Sequence, residues 1–258
     1  MLDNNPSWVI GPYALAVREC LEISDSMFWE AASGLLEHFS ARVRETDRSG
    51  SNLMLFWDVD TQVDFMIPGG SLYVAGAEKI IPNLRRLTAW AGTNHVLIVS
   101  SACAHLPGDP EFATFGPHCL AGTPGQQKVP ETLLACRYVL PDRPVALPDL
   151  GPFQQVILEK RAFDAFSNPN TEQMLRQLGE GLRVVMYGVV TEICVASAAH
   201  ALLERGHQVE LVRDAIAALD EQKAARFLDE FVGRGGRLVE TNDILRETSL
   251  PKPTGALP

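Results

Sequence analysis

The succession of apolar runs and amphipathic segments from Leu53 onward predicts an α/β protein, three layers deep, with a mainly parallel six-stranded sheet between two layers of helices. Three observations carry that prediction. Short, unbroken apolar runs recur, as expected of strands buried on both faces. Segments with helical spacing lie between them, and alternation of this kind implies parallel strands joined by crossover helices. The chain has 258 residues, enough for one large domain with a substantial core. The expected architecture is therefore Rossmann-like, preceded by a separate helical extension over residues 1–50, with the main domain over residues 51–258.

Each element has a local reason. In the extension, Ala14 to Ile23 and Met27 to Val43 show helical apolar spacing, with Phe28, Leu35, Leu36, Phe39 and Val43 near one face. Ser24, Asp25 and Ser26 offer N-caps for the second helix, and residues 44–52 form a polar linker. LMLFWDV, from Leu53, reads as the first strand, Ala77 to Trp90 as a helix, and His95 to Ser100 as the second strand. Gln155 to Leu158 and Arg183 to Tyr187 read as the third and fourth strands. Val195 to Arg205 is an alanine-rich helix that stops at Gly206, a residue suited to the position after a helix end. Gln208 to Val212 is a fifth strand, Gln222 to Val232 a helix, and Arg237 to Glu240 a sixth strand. The proline-rich stretch from Cys103 to Pro148 reads as irregular, and a long irregular excursion in a compact domain commonly surrounds a site.

Composition narrows the function. Lys and Arg number 22 against 32 Asp and Glu, a net charge of −10. Nucleic acid and anionic membrane surfaces, which demand a basic face, are disfavoured as partners. The N-terminus has no basic segment leading into an apolar stretch, so no secretory signal is expected. Five cysteines (20, 103, 119, 136 and 194) occur without a CxxC pair, which fits reduced thiols and a cytoplasmic location. No GxGxxG or GxxxxGK[ST] follows a strand, which argues against a nucleotide cofactor.

Ligands in open parallel sheets bind beyond the carboxyl ends of the strands. Asp60 follows the first strand, Cys103 and His105 the second, Lys160 the third, and Cys194 the fourth. Taken singly, Cys194 reads equally as a small buried hydrophobe, Asp60 as a strand-end cap and Lys160 as a solvated charge. Taken together they make a catalytic constellation. Cys194 near a helix start, with Lys160 close, is expected to favour thiolate, and Asp60 is placed to accept and return a proton.

Four ordered motifs then become recognisable. They are Asp60-Thr61-Gln62-Val63-Asp64-Phe65 with Pro68-Gly69-Gly70, Phe115-Gly116-Pro117-His118-Cys119 with Gly122-Thr123-Pro124-Gly125, Lys160-Arg161-Ala162-Phe163-Asp164-Ala165-Phe166, and Gly188-Val189-Val190-Thr191-Glu192-Ile193-Cys194-Val195. With them, the chain from about Leu53 to Glu247 resembles the isochorismatase-like cysteine hydrolases, and within these the nicotinamidases most. The resemblance implies a triad of Asp60, Lys160 and Cys194, with a cis peptide at Val189–Val190 that turns the Val190 N–H, beside that of Cys194, toward an oxyanion. It implies a thioester route from a small planar amide to its acid and ammonia, with Phe65, Phe115 and Phe166 flanking the flat substrate.

It also implies a divalent metal, held by Cys103, His105, Glu111 and His118. Cys103 stands where the family carries aspartate, and a thiolate in that place favours zinc over magnesium or manganese. A homo-oligomer is expected by the same likeness. An amidase for carbamoyl or ureido substrates, or a non-catalytic scaffold that keeps the fold, are the rival readings. A thiol redox protein would need a resolving cysteine near Cys194, and none is near in sequence. His38, His95, His200 and His207 read as surface or structural residues.

Overall fold

The computed structural model describes residues 53–247; the expected helices of residues 1–50 lie outside them. The strands are β1 (Met54–Val59), β2 (Ile98–Cys103), β3 (Arg137–Leu140), β4 (Gln155–Lys160), β5 (Arg183–Val189), β6 (Gln208–Ala217) and β7 (Arg237–Val239). Together they form one seven-stranded sheet in the order β3-β4-β2-β1-β5-β6-β7, and every neighbouring pair is parallel. The class is as expected, but the strand count is seven, not six. The additional strand is β3, inside the stretch read as irregular. It is an edge strand of four residues whose first three are not buried, so it lacks the apolar run that marks the interior strands.

The helices are α1 (Val63–Met66), α2 (Ile81–Thr93), α3 (Phe112–Phe115), α4 (Thr171–Leu178), α5 (Ala196–Glu204), α6 (Glu221–Gly233) and α7 (Thr241–Arg246). Helix α4 was not evident from the sequence, yet it buries Thr171, Met174, Leu175 and Leu178 at the spacing of one helical face. Asp220 caps α6 by accepting from the backbone N–H groups of Gln222 and Lys223. Glu240 and Asp243 form a reciprocal capping box on α7.

The run MLFWDV forms β1 because both of its faces are covered. Trp57 joins one apolar cluster with α4, α5 and α6, and Phe56 joins the other with α2. Among the described residues no helix is long and apolar enough to cross a membrane. From β1 the chain passes to β2, goes on to the edge strand β3, comes back to β4 between them, then crosses to β5 and winds the other way through β6 and β7. The crevice of such a fold lies where the winding reverses, at the carboxyl end of β1 between its neighbours β2 and β5.

Candidate active site

That crevice gathers the residues singled out above. Asp60, immediately beyond β1, is fully buried and adopts a left-handed backbone conformation with φ of 48°. Its carboxylate accepts from Ser101 Oγ at 2.7 Å and pairs with Lys160 Nζ at 2.9 Å. Lys160, the last residue of β4, also donates to the Ala162 carbonyl at 3.0 Å and lies 3.8 Å from Cys194 Sγ. Cys194 belongs to a π-helical turn, Thr191–Val195, that leads into α5. Thr191 Oγ1 ties this turn to the Ala217 carbonyl at the end of β6, at 2.9 Å. The peptide between Val189 and Val190 is cis.

The electrostatics place the proton. Burial alone would raise the Asp60 carboxyl, but the Lys160 ammonium, with the hydrogen bonds of Lys160 and Ser101, outweighs it and holds Asp60 below its ordinary value. Burial works against the Lys160 charge, yet Asp60 and the two nearby sulfurs hold it well above its usual range. Burial raises the Cys194 thiol well above its ordinary value; the Lys160 charge opposes this without outweighing it, and Asp60 and Cys103 add to the rise. The resting pair is therefore a thiol beside a carboxylate. This corrects the expectation of a resting thiolate: desolvation of the buried sulfur outweighs both the helix start and the ammonium.

Cys103 completes a second feature. As the last residue of β2 it is in register with Lys160 on β4, and its sulfur lies 3.2 Å from Lys160 Nζ and 3.9 Å from Asp60 Oδ2. Burial pushes its thiol up to about 12. Two sulfurs thus face one ammonium. A second cysteine does stand near Cys194, although the sequence separation had hidden it.

Ligand atoms of Cys103, His105 and His118 all lie within 4.8 Å of one another. Glu111 Oε1 is 3.6 Å from His118 Nε2 and 3.9 Å from His105 Nε2. The outer ring nitrogens are engaged, His118 Nδ1 with the Gly116 carbonyl at 2.9 Å and His105 Nδ1 with Asp109 at 3.1 Å. A carbonyl can only accept, so His118 carries its proton on Nδ1 and turns a lone pair inward on Nε2. Burial lowers the His105 pKa despite its acidic neighbours, which favours the neutral, ligating form. His105 Nε2 and Glu111 Oε2 are buried without a hydrogen-bond partner. Two orphaned atoms beside a thiol and a second imidazole are what a cation site requires, so the donor set fits a divalent metal.

Several supporting residues escaped the sequence reading. Gln62, fully buried, accepts from the Cys103 N–H at 2.7 Å and donates to the Cys103 carbonyl at 2.8 Å. It also donates to the Gln126 carbonyl, and Asp64 accepts from the backbone N–H groups of Ser71 and Cys119. Both therefore fix the loop that carries His118. Their signal was present, since both belong to the first motif, but their partners were not readable from it.

The aromatic residues divide. Phe65 is buried with its ring centre 5.3 Å from that of His118. Phe115 ends α3 and is half-buried. Phe166 stacks on Trp57 and carries the Arg205 guanidinium 3.8 Å over its ring. These contacts pack Phe166 between β1 and α5. Of the histidines, His95 is exposed, His200 faces Glu230 and Phe227, and His207 is buried and accepts from the Leu182 N–H.

A doubly wound parallel sheet with a buried thiol–carboxylate–ammonium cluster at its reversal point makes this an α/β domain with a candidate catalytic site. Residues 144–243, which include Lys160 and Cys194, match the isochorismatase domain family. The streptothricin hydrolase of Streptomyces noursei is 31% identical over 163 residues, 63% of this chain and 49% of that protein. The chain thus spans about half of that relative's length. The nicotinamidase of Acinetobacter baylyi is 26% identical over 216 residues, covering 72% of this chain and 92% of that protein. The pyrazinamidase of Pyrococcus horikoshii, solved in complex with zinc, superposes with a TM-score of 0.60 at 29% identity, over 73% of this chain and 99% of its own. Through that domain match and these relatives, the chain is similar to the isochorismatase-like hydrolases.

Proposed function

We propose that the protein is an amide hydrolase of the nicotinamidase type, with Cys194 as nucleophile, Asp60 as general acid–base and Lys160 as the cation that holds the two together. The observation that carries this reading is one buried ammonium placed 2.9 Å from a carboxylate and 3.8 Å from a thiol. Asp60 takes the thiol proton as Cys194 Sγ attacks the amide carbonyl carbon. The N–H groups of Val190 and Cys194 receive the developing oxyanion. Asp60 returns the proton to the leaving nitrogen, so that ammonia departs and a thioester remains. Water gives a proton to Asp60 as it attacks the thioester; that proton returns to the Cys194 sulfur, and the carboxylic acid leaves. Phe65 and Phe115 flank the flat substrate.

Cys103, His105, Glu111 and His118 would hold a divalent cation, and thiolate, imidazole and carboxylate donors together suit zinc. When bound, the ion supplies Lewis acidity for a ring nitrogen of the substrate or for a water. A cytoplasmic homo-oligomer acting on a small molecule completes the reading.

The test is ammonia release from nicotinamide by the purified protein and by Cys194→Ala, with metal content read on the same samples. The expected result is release that vanishes in the variant, with about one zinc per chain. Release from carbamoyl or ureido compounds but not from nicotinamide would move the substrate class within the same mechanism. Release that survives in Cys194→Ala would overturn the mechanism.

A further inference from the structure

A second buried carboxylate–ammonium pair lies directly behind the first. Lys128 Nζ is 3.0 Å from Asp58 Oδ2, with the two side chains 3% and 1% exposed. Nothing in the proposed chemistry uses either residue, and a buried ion pair is weak grounds for stability, because an apolar pair of similar volume commonly serves as well.

Its contacts converge on Asp60. Asp58 Oδ1 accepts from Thr61 Oγ1 at 2.9 Å, and Thr61 is the residue that follows Asp60. Lys128 Nζ donates to the Ser101 carbonyl at 3.3 Å. That carbonyl also accepts from the Asp60 N–H at 3.2 Å, while Ser101 Oγ donates to the Asp60 carboxylate at 2.7 Å. Asp58 therefore fixes one side of Asp60 and Lys128 the other, across two strands. Asp60 needs such support. Its φ of 48° is a conformation that non-glycine residues hold only when their surroundings dictate it.

We infer that Lys128 and Asp58 are positioning residues, which hold the Asp60 carboxylate in line with Cys194 and Lys160. The inference rests on the reading of Asp60 as the base for Cys194. Misplacement by an ångström at a reacting group can cost on the order of a hundredfold in rate, which sets the scale of the effect expected of the pair.

Removing one partner would strand a buried charge, so the informative variant removes both, Asp58→Leu with Lys128→Met. The readouts are thermal melting, the kcat and KM for amide hydrolysis, and the rate at which iodoacetamide alkylates Cys194. The last needs no knowledge of the substrate. The expected result is a folded protein with kcat and alkylation rate each lowered by roughly tenfold or more and KM little changed. Should the double variant not fold, Thr61→Val removes the Asp58 contact without stranding a charge, and the same kcat loss at constant KM is expected, in smaller degree. Wild-type rates in a folded double variant, or in Thr61→Val where the double variant does not fold, would overturn the inference. The two readings fail separately. Alkylation of Cys194 that is unaffected by Asp60→Ala would remove Asp60 as the base, whereas alkylation slowed by Asp60→Ala but not by the pair variants would sink the positioning role alone.

Discussion

His105 and Asp109, one helical turn apart in sequence, meet through Nδ1 and Oδ2 at 3.1 Å, and Arg161 clasps the same carboxylate from the end of β4. The Arg161 hydrogen bonds hold Asp109 well below the usual carboxylate range, against its burial. Asp109 is therefore a fixed acceptor that orients the His105 ring and leaves Nε2 facing Cys103 and His118. Partners of this kind commonly change metal affinity by about 10–100-fold. Asp109→Ala is expected to weaken zinc binding by that factor, read by competition with a chelator, while Cys194 stays as reactive toward iodoacetamide as in the metal-free wild type.

In the proposed metal site, Cys103 is the donor expected to select the metal. A thiolate donor beside two imidazoles suits cobalt and zinc, whereas carboxylate suits magnesium and manganese. The cobalt-loaded protein is expected to show a sulfur-to-metal charge-transfer band in the near ultraviolet. Cys103→Ser should lose the band, and Cys103→Asp should lose it while gaining manganese affinity relative to zinc. A band that persists in Cys103→Ser would assign the sulfur ligand elsewhere.

The site was legible to the extent that it is written at strand ends. Asp60, Lys160 and Cys194 each follow a buried apolar run, and parallel pairing brings those ends together. What sequence could not supply was register. Cys103 and Lys160 are neighbours because β2 and β4 pair residue for residue at that level, and nothing local to either strand announces it. The direction of a ring is equally hidden. Phe166 occupies a motif position, but Trp57 and Arg205 decide where it packs. In the fold, β3 was missed because an edge strand with exposed Arg137 and Val139 lacks apolar continuity. The second half of β6 was missed because Arg213 and Asp214 interrupt its pattern. Helix α4, TEQMLRQL, carries only three large apolar residues in eight, and its amphipathic spacing is short.

Gly188 is a backbone requirement of the site. It is paired with Val59 at the level where β1 and β5 deliver Asp60 and the Cys194 turn. Its φ is 119°, and a Cβ there would lie 2.1 Å from the Val59 carbonyl oxygen. Gly69 also has a positive φ, of 93°, but open space around it. Gly188→Ala is expected to cost about 3 kcal/mol or more, overpacking adding to backbone strain, and Gly69→Ala about 1 kcal/mol. In a domain of this size the first should lower the melting temperature by at least about 6 °C and the second by about 2–4 °C. Equal shifts would show that the approach to Val59 relaxes freely.

His207 gives the fold a pH limit on its acid side. Its ring is buried, and Nδ1 accepts from the Leu182 N–H at 3.1 Å, a bond that only the unprotonated nitrogen can make. Burial, aided by the Arg205 charge and opposed by Glu172, lowers its pKa below the ordinary value of 6.5. The unfolded chain therefore binds the proton at a higher pH than the folded one. By linkage, stability rises with pH between the folded and unfolded values, is fully present above about pH 6.5, and is lost as pH falls through the folded value. The slope is bounded at about 1.4 kcal/mol per pH unit for one proton. In His207→Asn the amide oxygen can still accept from Leu182, but nothing titrates. Urea unfolding at pH 7.5, 6 and 5 should show wild type losing stability relative to the variant as the medium is acidified. The acid-labile groups common to both proteins cancel in that difference. A constant difference across the three pH values would mean that His207 protonates in the fold as readily as in the unfolded chain, and that the Leu182 bond does not hold it neutral.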